Sequence, residues 1–494
     1  MRNTLTAIAL TIGTAFATAN AQDCTHSEIL KKVQYQFNAL RNDVKLPSSV
    51  NGAEITWLLQ PNDSSLTLHD NTLHVKALPK GNYKNGGFLW ASVNNGETLK
   101  FPLTIAPDDE KYGYLYCHMA GTSENTLYAI GTKEDKGRKF KPLIENQPIY
   151  NAEELAGIEG GVRDAFICRA VDGGYLMVTT DMSNRKSRTW FNHGMNLMKS
   201  NDLVHWTSTT FDFRKGAGIF CDSTKAKDIY KDYSLINRVW APQVIWDADY
   251  DWKDGSPKGG YFIYYSMLST NAGDDHDRMY YSYADRSFTK MTKPQLFHDR
   301  GIAMIDCHID WNDCDKQYHI FFKREGANAN DRGIYKAVFD KLPGACQKQS
   351  DFTGSYGQWK DVLHITNEGT NLTEGPSAIR RINENAWNVA YIRYSGGKAY
   401  KINGADALIE NIDKGQVIEG DVNPQHGSFM TLTETEYKML EAWSELTLKT
   451  QALEKKSPKS GKVKTAKAVL AQQFDTNAVA QLLDLYTKTL KKMK

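Results

Sequence analysis

Thr373-Glu374-Gly375-Pro376-Ser377-Ala378-Ile379-Arg380 places a carboxylate directly before a Gly-Pro step, with an apolar strand-like run leading away. Glycine permits a tight turn and proline fixes φ, so the chain at Glu374 is stiff and turned out of a sheet edge. A second, aromatic run, Trp387-Asn388-Val389-Ala390-Tyr391, follows. Three upstream segments repeat this plan with other residues at the opening. The first is Arg163-Asp164-Ala165-Phe166-Ile167-Cys168, followed by the run 175–178. The second is Trp240-Ala241-Pro242-Gln243-Val244-Ile245-Trp246, followed by 261–265. The third is Ile305-Asp306-Cys307-His308-Ile309, followed by 318–322.

These openings recur at intervals of roughly 70 residues, with about four strands in each interval, a period that reads as the blades of a propeller. A fifth unit begins at Tyr114-Leu115-Tyr116-Cys117 without an opening strand of its own, and residues 427–432 at the far end can supply it. Such an exchange closes the ring and removes sheet edges. The first strand of each blade lines the axis of a propeller. Asp164, Trp240, Asp306, Glu374 and His426 are therefore expected to converge at one mouth of the channel.

The remainder of the chain frames this domain. Arg2, an apolar stretch over 5–16 and Ala19-Asn20-Ala21 read as a signal peptide, 1–21, cleaved before Gln22. The stretch is too short to span a bilayer and no later one reaches that length. The protein is thus expected to be exported, periplasmic or extracellular, with no membrane span. Within 22–108, residues 27–40 have helical spacing, and alternating runs at 54–59, 72–75, 88–93 and 99–105 follow. Asn51-Gly52, Asn85-Gly86-Gly87 and Asn94-Asn95-Gly96 separate those runs, which predicts a small β-sandwich. The propeller occupies 109–437. In the tail, 438–494, helices are expected on either side of a Lys-rich, solvated linker at 453–467. The predicted fold class is all-β: an N-terminal β-sandwich, a five-bladed β-propeller and a short helical C-terminal tail.

Length and composition agree with an ordinary globular chain. It has 494 residues, 41% of them hydrophobic and 24% charged, enough for two or three domains. A net charge of +2 argues against nucleic acid as the main partner. The 25 Tyr and 11 Trp suit both strand pairing and stacking on sugars. Seven cysteines, an odd number, show neither a disulfide framework nor zinc spacing, and most sit in strand-like runs as small apolar residues.

Three carboxylates gathered with a Trp and a His, without a metal cluster or a serine nucleophile motif, suit glycoside hydrolysis. That reaction needs an acid to protonate the leaving oxygen and a carboxylate to activate water on the opposite face. A third carboxylate near the acid raises its pKa by like-charge repulsion. The chemistry requires no cofactor.

Arg163-Asp164, Ile305-Asp306 and Glu374-Gly375-Pro376 resemble the three-acid signature of glycoside hydrolase family 43. Trp240-Ala241-Pro242, the segment Ser200-Asn201-Asp202-Leu203-Val204-His205-Trp206, and Gln425-His426-Gly427 resemble other phrases of that family. The residues before 109 resemble the small immunoglobulin-like domains that precede many exported bacterial glycosidases. Carried over by position, the resemblance implies that Asp164 is the general base, Asp306 the pKa modulator and Glu374 the general acid. It implies an inverting enzyme that removes arabinofuranosyl, xylosyl or galactosyl units from plant polysaccharide. His426 would lie on the axis beside an ion or water; calcium is common there in the family, although no dedicated oxygen-ligand loop is visible here. Ala165 departs from the family's usual proline after the base. Arg163, Phe166, Trp240 and Arg393 are expected to contact substrate. The alternatives are a carbohydrate-binding propeller without turnover and a protein-interaction propeller.

Overall fold

The computed structural model describes residue 37 and residues 40–493, except 51, 80–83, 95, 108, 121–123, 222–226, 313–314, 327–330, 347–358, 367–371, 385, 395–398, 407–410, 414, 420–423 and 476. The expected signal peptide, and the expected helix over 27–40 apart from Phe37 and Leu40, lie outside the described residues. The structure is dominated by β-strands, with a short helical region at the C-terminus.

Two small antiparallel sheets come first. One contains Val44–Lys45, Leu66–His69 and Thr72–Val75, and the other Ser49–Val50, Ala53–Pro61, Lys84–Val93 and Glu97–Ile105. Ala53, Ile55 and Trp57 point inward while Glu54, Thr56 and Leu58 point out, the alternation of a half-buried strand. Phe37, Trp57 and Phe101 meet in the shared core. One expected boundary is displaced. Asn85-Gly86-Gly87 does not separate strands but lies within Lys84–Val93, at a register shift. Gly87 has φ +95° and a Cβ there would meet the Gln60 carbonyl of the paired strand at 2.2 Å, so glycine is required beside the bulge at Gly86.

Five four-stranded antiparallel sheets follow. The first is Val162–Arg169, Tyr175–Asp181, Gly194–Ser200 and Thr207–Asp212. The second is Arg238–Asp247, Gly260–Leu268, Arg278–Ala284 and Gln295–His298. The third is Ala303–Asn312, Gln317–Glu325, Gly333–Phe339 and Lys360–His364. The fourth is Thr373–Arg380, Ala386–Arg393, Ala399–Asp406 and Gln416–Val417. In the closing sheet Pro424–Leu432, from the far end of the domain, pairs with Gly113–Ala120, beside Thr126–Thr132 and Lys141–Pro142. The leading strands of the five sheets touch one another in a closed circuit. The second strands, such as Gly260–Leu268, are buried on both faces, which explains their unbroken apolar runs.

The same irregularity recurs in every leading strand. Register shifts fall between Arg163 and Phe166, Trp240 and Gln243, Ile305 and His308, Glu374 and Ser377, and Gln425 and Gly427. Each adds one unpaired residue, a β-bulge that re-aims the chain. Asp164 (φ 55°), Ala241 (φ 45°), Asp306 (φ 53°) and Gly375 (φ 62°) all occupy the left-handed region at these bulges. Among non-glycine residues that region is sparsely populated and costs roughly 1–3 kcal/mol per site.

The C-terminal helices are Glu434–Lys456, Gly461–Leu470 and Val479–Met493. The first begins in a capping box between Thr433 and Glu436. The expected linker at 453–467 is largely helical: only residues 457–460 separate the first two helices. Ser460 caps the second helix, and Val463 and Ala466 are buried beneath it while its lysines face outward. The lysines therefore form the solvated face of a packed helix. Leu440, Leu446, Leu482 and Tyr486 join Leu115, Ile130 and Met198 in one core, which fixes the helices to the closing and first sheets. Buried Glu436 also pairs with Arg169 of the first sheet at 2.5 Å. No helix among the described residues is long and apolar enough to cross a membrane.

Candidate active site

The bulges build the site in two tiers. Arg163, Trp240, Ile305, Glu374 and Gln425 each stand at the last paired position before a bulge, and all five line a pocket of ≈ 390 Å³. Asp164, Ala241, Asp306, Gly375 and His426 are the bulged residues themselves. All five surround a small axial cavity of ≈ 20 Å³ beneath, with room for about one water. Asp164, Asp306 and His426 border both spaces. The five residues expected to converge do so, but not as equivalents: Trp240 and Glu374 belong to the upper tier, and Asp164, Asp306 and His426 to the lower.

His426 joins the carboxyl groups. Its Nδ1 is 3.1 Å from Asp164 Oδ1, and its Nε2 lies 3.3 Å from Glu374 Oε1 and 3.9 Å from Asp306 Oδ2. Burial opposes a charged imidazole, yet the Asp306 and Asp164 charges and the bonds to Asp164 and Glu374 raise its pKa well above the ordinary value. Burial likewise opposes the Asp164 anion, but the His426 cation, Arg163 and the Thr180 hydroxyl hold its pKa at about 2. Thr180 Oγ1 donates to Asp164 Oδ2 at 2.9 Å and accepts the Ala241 N–H at 2.8 Å. Asp306 goes the other way. Burial, with Glu374 and Asp164 nearby, raises it to about 7 although His426 opposes the shift. Its Oδ2 accepts the Gly375 N–H at 3.0 Å. Burial pushes Glu374 up, but His426, Tyr394 and Lys323 outweigh it and lower the pKa. Tyr394 donates its hydroxyl to Glu374 Oε1. Glu374 is the most open of the three, its side chain 22% exposed against 12% for Asp164 and 7% for Asp306.

Gly375 permits this convergence. A Cβ at that position would lie 2.8 Å from His426 Cδ2 and Nε2, and its φ of +62° is one glycine adopts freely. Asp306, Glu374 and His426 present possible ligand atoms within 4.8 Å of one another. They fit calcium poorly, because that ion takes six to eight oxygens and both nitrogens of the imidazole face carboxylates.

Arg163 and Trp240 reach the pocket as expected. Arg163 Nη1 is 2.7 Å from the buried carboxylate of Glu124. Trp240 lies under Arg238, 4.5 Å from the guanidinium, and its buried Nε1 has no hydrogen-bond partner among the described residues. Phe166 does not reach the pocket. It is two residues past Asp164, on the far side of the bulge, and packs in the core with its ring 5.8 Å from His308. Arg393 is not among the lining residues either; as the last residue of its strand it pairs with Thr373, and the next residue, Tyr394, turns into the pocket. Sequence reasoning missed Tyr394, Trp190, Glu325 and Gln425. Tyr394 alone had a usable signal, since it follows the strand that pairs with Glu374.

Of the seven cysteines, Cys117, Cys168 and Cys307 are free thiols, and Cys24 and Cys314 lie outside the described residues. A larger groove of ≈ 920 Å³ runs between the helices Glu434–Lys456 and Val479–Met493 and the segment 141–146. Acids and bases alternate along it, as where Lys141 pairs with Glu441 at 3.3 Å, so it has none of the convergence of the acid-lined pocket.

Fold and site together define a mainly β protein with three carboxyl groups gathered around one imidazole where the leading strands of five sheets meet. The family model described as a probable glycosyl hydrolase domain, related to glycoside hydrolase family 43, matches residues 109–438. The chain belongs to that family. An alpha-L-arabinofuranosidase of Bifidobacterium longum subsp. longum is 24% identical over 266 residues, which are 48% of this chain and 22% of the relative. The match therefore takes in less than a quarter of that relative's length. The solved alpha-L-arabinofuranosidase from Lactobacillus brevis is similar over 53% of this chain and 74% of its own, at 15% identity and a TM-score of 0.33. The exo-beta-1,3-galactanase from Phanerochaete chrysosporium with galactose is similar over 53% and 52%, at 13% identity and a TM-score of 0.35.

Proposed function

We propose that the protein is an exported, inverting glycoside hydrolase that removes arabinofuranosyl or related pentosyl or galactosyl units from plant polysaccharides. In this reading the five sheets are the blades of a propeller and the N-terminal sheets an immunoglobulin-like domain. The observation that carries it is the meeting of Asp164, Asp306 and Glu374 around His426 in one pocket. A binding site for neutral sugars does not need three buried carboxyl groups, whereas hydrolysis uses an acid and a base in different protonation states.

Asp164 is the base, because a carboxylate held at about 2 stays ionised at working pH. Glu374 is the acid, because it stands in the wall tier and is the most open of the three to a leaving oxygen. The free protein keeps Glu374 ionised through His426. A sugar that expels water from the pocket strengthens the burial effect that pushes Glu374 up, and His426 Nε2 stands 3.3 Å from Glu374 Oε1 to supply a proton. Asp306 keeps the cluster from carrying three negative charges. Asp164 and Glu374 bind opposite nitrogens of one ring, so these oxygens lie at most roughly 9 Å apart, within the upper limit of about 9.5 Å for inverting pairs.

A second reading has one observation behind it: Asp306, at about 7, holds a proton near neutrality and could be the acid itself. Leaving-group dependence separates the two. Asp164→Asn should lose more than ~10²-fold of activity on every substrate of an arabinofuranoside, xyloside and galactoside panel. Glu374→Gln should lose as much on natural linkages but far less on glycosides with activated leaving groups, which need no proton. If that selective sparing belongs to Asp306→Asn instead, Asp306 is the acid. Full activity in both Asp164→Asn and Glu374→Gln would defeat the reading, and a wild type that binds sugars without turnover would make the protein a binding module.

A further inference from the structure

The mouth of the pocket carries an aromatic residue, Trp190, that the cluster of acids does not use, and Phe191 follows it in the chain. Trp190 is 55% exposed and Phe191 46% exposed, although both are large apolar side chains. Trp190 also lines the pocket. One Trp190 face is backed by the Arg163 guanidinium, 5.4 Å from the ring centroid, and Phe191 by that of Arg238 at 6.0 Å. Each cation is neutralised at its other side, Arg163 by Glu124 at 2.7 Å and Arg238 by Asp277 at 2.8 Å.

The backbone that presents the pair is fixed on both sides. Before it, Glu124 accepts from Ser183 Oγ at 2.9 Å and from the Asn184 N–H at 3.0 Å, and Asn184 Nδ2 donates to the Thr189 carbonyl at 2.9 Å. After it, Asn192, 1% exposed, donates from Nδ2 to the carbonyls of Asp181, Gly194 and Val239 and accepts the Val239 N–H at 2.9 Å. The exposed rings therefore sit on a rigid ledge, where a ligand would not bear the cost of ordering a loop.

We propose that Trp190, flanked by Phe191, is the platform for the part of the polysaccharide that is left behind after cleavage. Resting on the hydrolase reading above, the sugar to be released occupies the pocket over the acids, and the chain it branches from must leave through the mouth. There the next sugar ring lays its apolar C–H face on Trp190. An aromatic side chain joins a flat apolar face to a polar edge and so matches a ring of that kind. Trp190 thus sets which polymers are cleaved without touching the reacting atoms.

Two probes that differ only in what is left behind test this. α-L-Arabinofuranosyl fluoride has no second ring, while an arabinofuranosyl-substituted xylo-oligosaccharide has one to stack. Trp190→Ala should lose about tenfold or more in kcat/KM on the oligosaccharide, chiefly through KM, and at least about fivefold less on the fluoride. Trp190→Phe should recover most of the loss. Equal losses on both probes, or none on the oligosaccharide, would overturn the platform. A wild type inert on both probes is a different outcome: it defeats the arabinosidase reading, and the platform with it.

Discussion

The two tiers at the hub use one backbone device for opposite purposes. Residues before the bulges, Arg163, Trp240, Ile305, Glu374 and Gln425, are varied in chemistry and face the pocket. Residues at the bulges face the axis, where Ala241 and Gly375 contribute no side-chain polar group and Asp164, Asp306 and His426 contribute titratable ones. Left-handed φ values at Asp164, Ala241 and Asp306 show that the backbone bears strain in the lower tier to hold that direction. The two acids there differ by the company they keep. Asp164 has His426 at 3.1 Å and Thr180 at 2.9 Å and titrates low. Asp306 has His426 only at 3.9 Å, with burial dominating, and titrates high. Equal backbone positions thus give unequal proton affinities, as acid–base chemistry needs.

The sharpest way to break this contrast is Asp306→Asn, which should reduce turnover by more than ~10²-fold. Its stability should respond in the opposite sense. A carboxyl raised from 3.8 to about 7 by folding keeps a proton that the unfolded chain gives up. Stability therefore falls as pH rises between those values, and the loss is complete above them. Asparagine does not titrate, so the melting temperature of Asp306→Asn relative to wild type should climb from pH 4 to pH 7. A difference that stays constant across that range would mean Asp306 is not held protonated.

Next in size is Gly375→Ala. It adds a methyl group 2.8 Å from the His426 ring at a residue with φ +62°. Backbone strain alone costs roughly 1–3 kcal/mol, and displacing the ring removes the contact that lowers Glu374. Lower stability in denaturant melts and a marked loss of kcat are expected. Ala241→Gly occupies the equivalent bulge at φ 45° and is the control, with activity retained and stability within about 1 kcal/mol of wild type. Similar behaviour of the two variants would show that the tier does not depend on His426.

Much of this arrangement is legible in the sequence, and what is not has a physical reason. The repeat shows because each leading strand needs an apolar run after its bulge, as in Phe166-Ile167 and Val244-Ile245. The strand lent by the far end of the domain shows because the unit at Tyr114 lacks an opening. The tier of each residue does not show. Ala241 and Gly375 are silent beside Trp240 and Glu374, so aligning the conspicuous residues shifts two repeats by one position. Pairing of Arg163 with Thr180 and of Glu374 with Ile392 reveals the true register. Phe166 looked like a wall residue for the same reason. Glu124 and Trp190 lie outside the repeats, in segments with no local signature. The lysines of 453–467 misled because a packed amphipathic helix and a solvated linker share a composition when few apolar residues are needed for the buried stripe.

The smallest predicted effect tests whether the tiers communicate between sheets. Thr180 is fully buried on the second strand of the first sheet, yet it accepts the N–H of Ala241 in the second sheet and donates to Asp164. Thr180→Val keeps the shape but leaves that N–H unpaired and Asp164 one donor short, a cost of roughly 1–3 kcal/mol. The Asp164 pKa should rise from about 2, since a bond that lowers it is gone. A depressed carboxylate contributes stability above its unfolded value that is lost as pH falls through its folded one. The variant should therefore lose stability mainly above pH 4, and the acid limb of kcat/KM should move to higher pH. Thr180→Ser retains both bonds and should leave the acid limb in place. If valine and serine give the same acid limb and the same denaturation midpoint, the hydroxyl does not link the sheets, and Asp164 owes its low pKa to His426 and Arg163 alone.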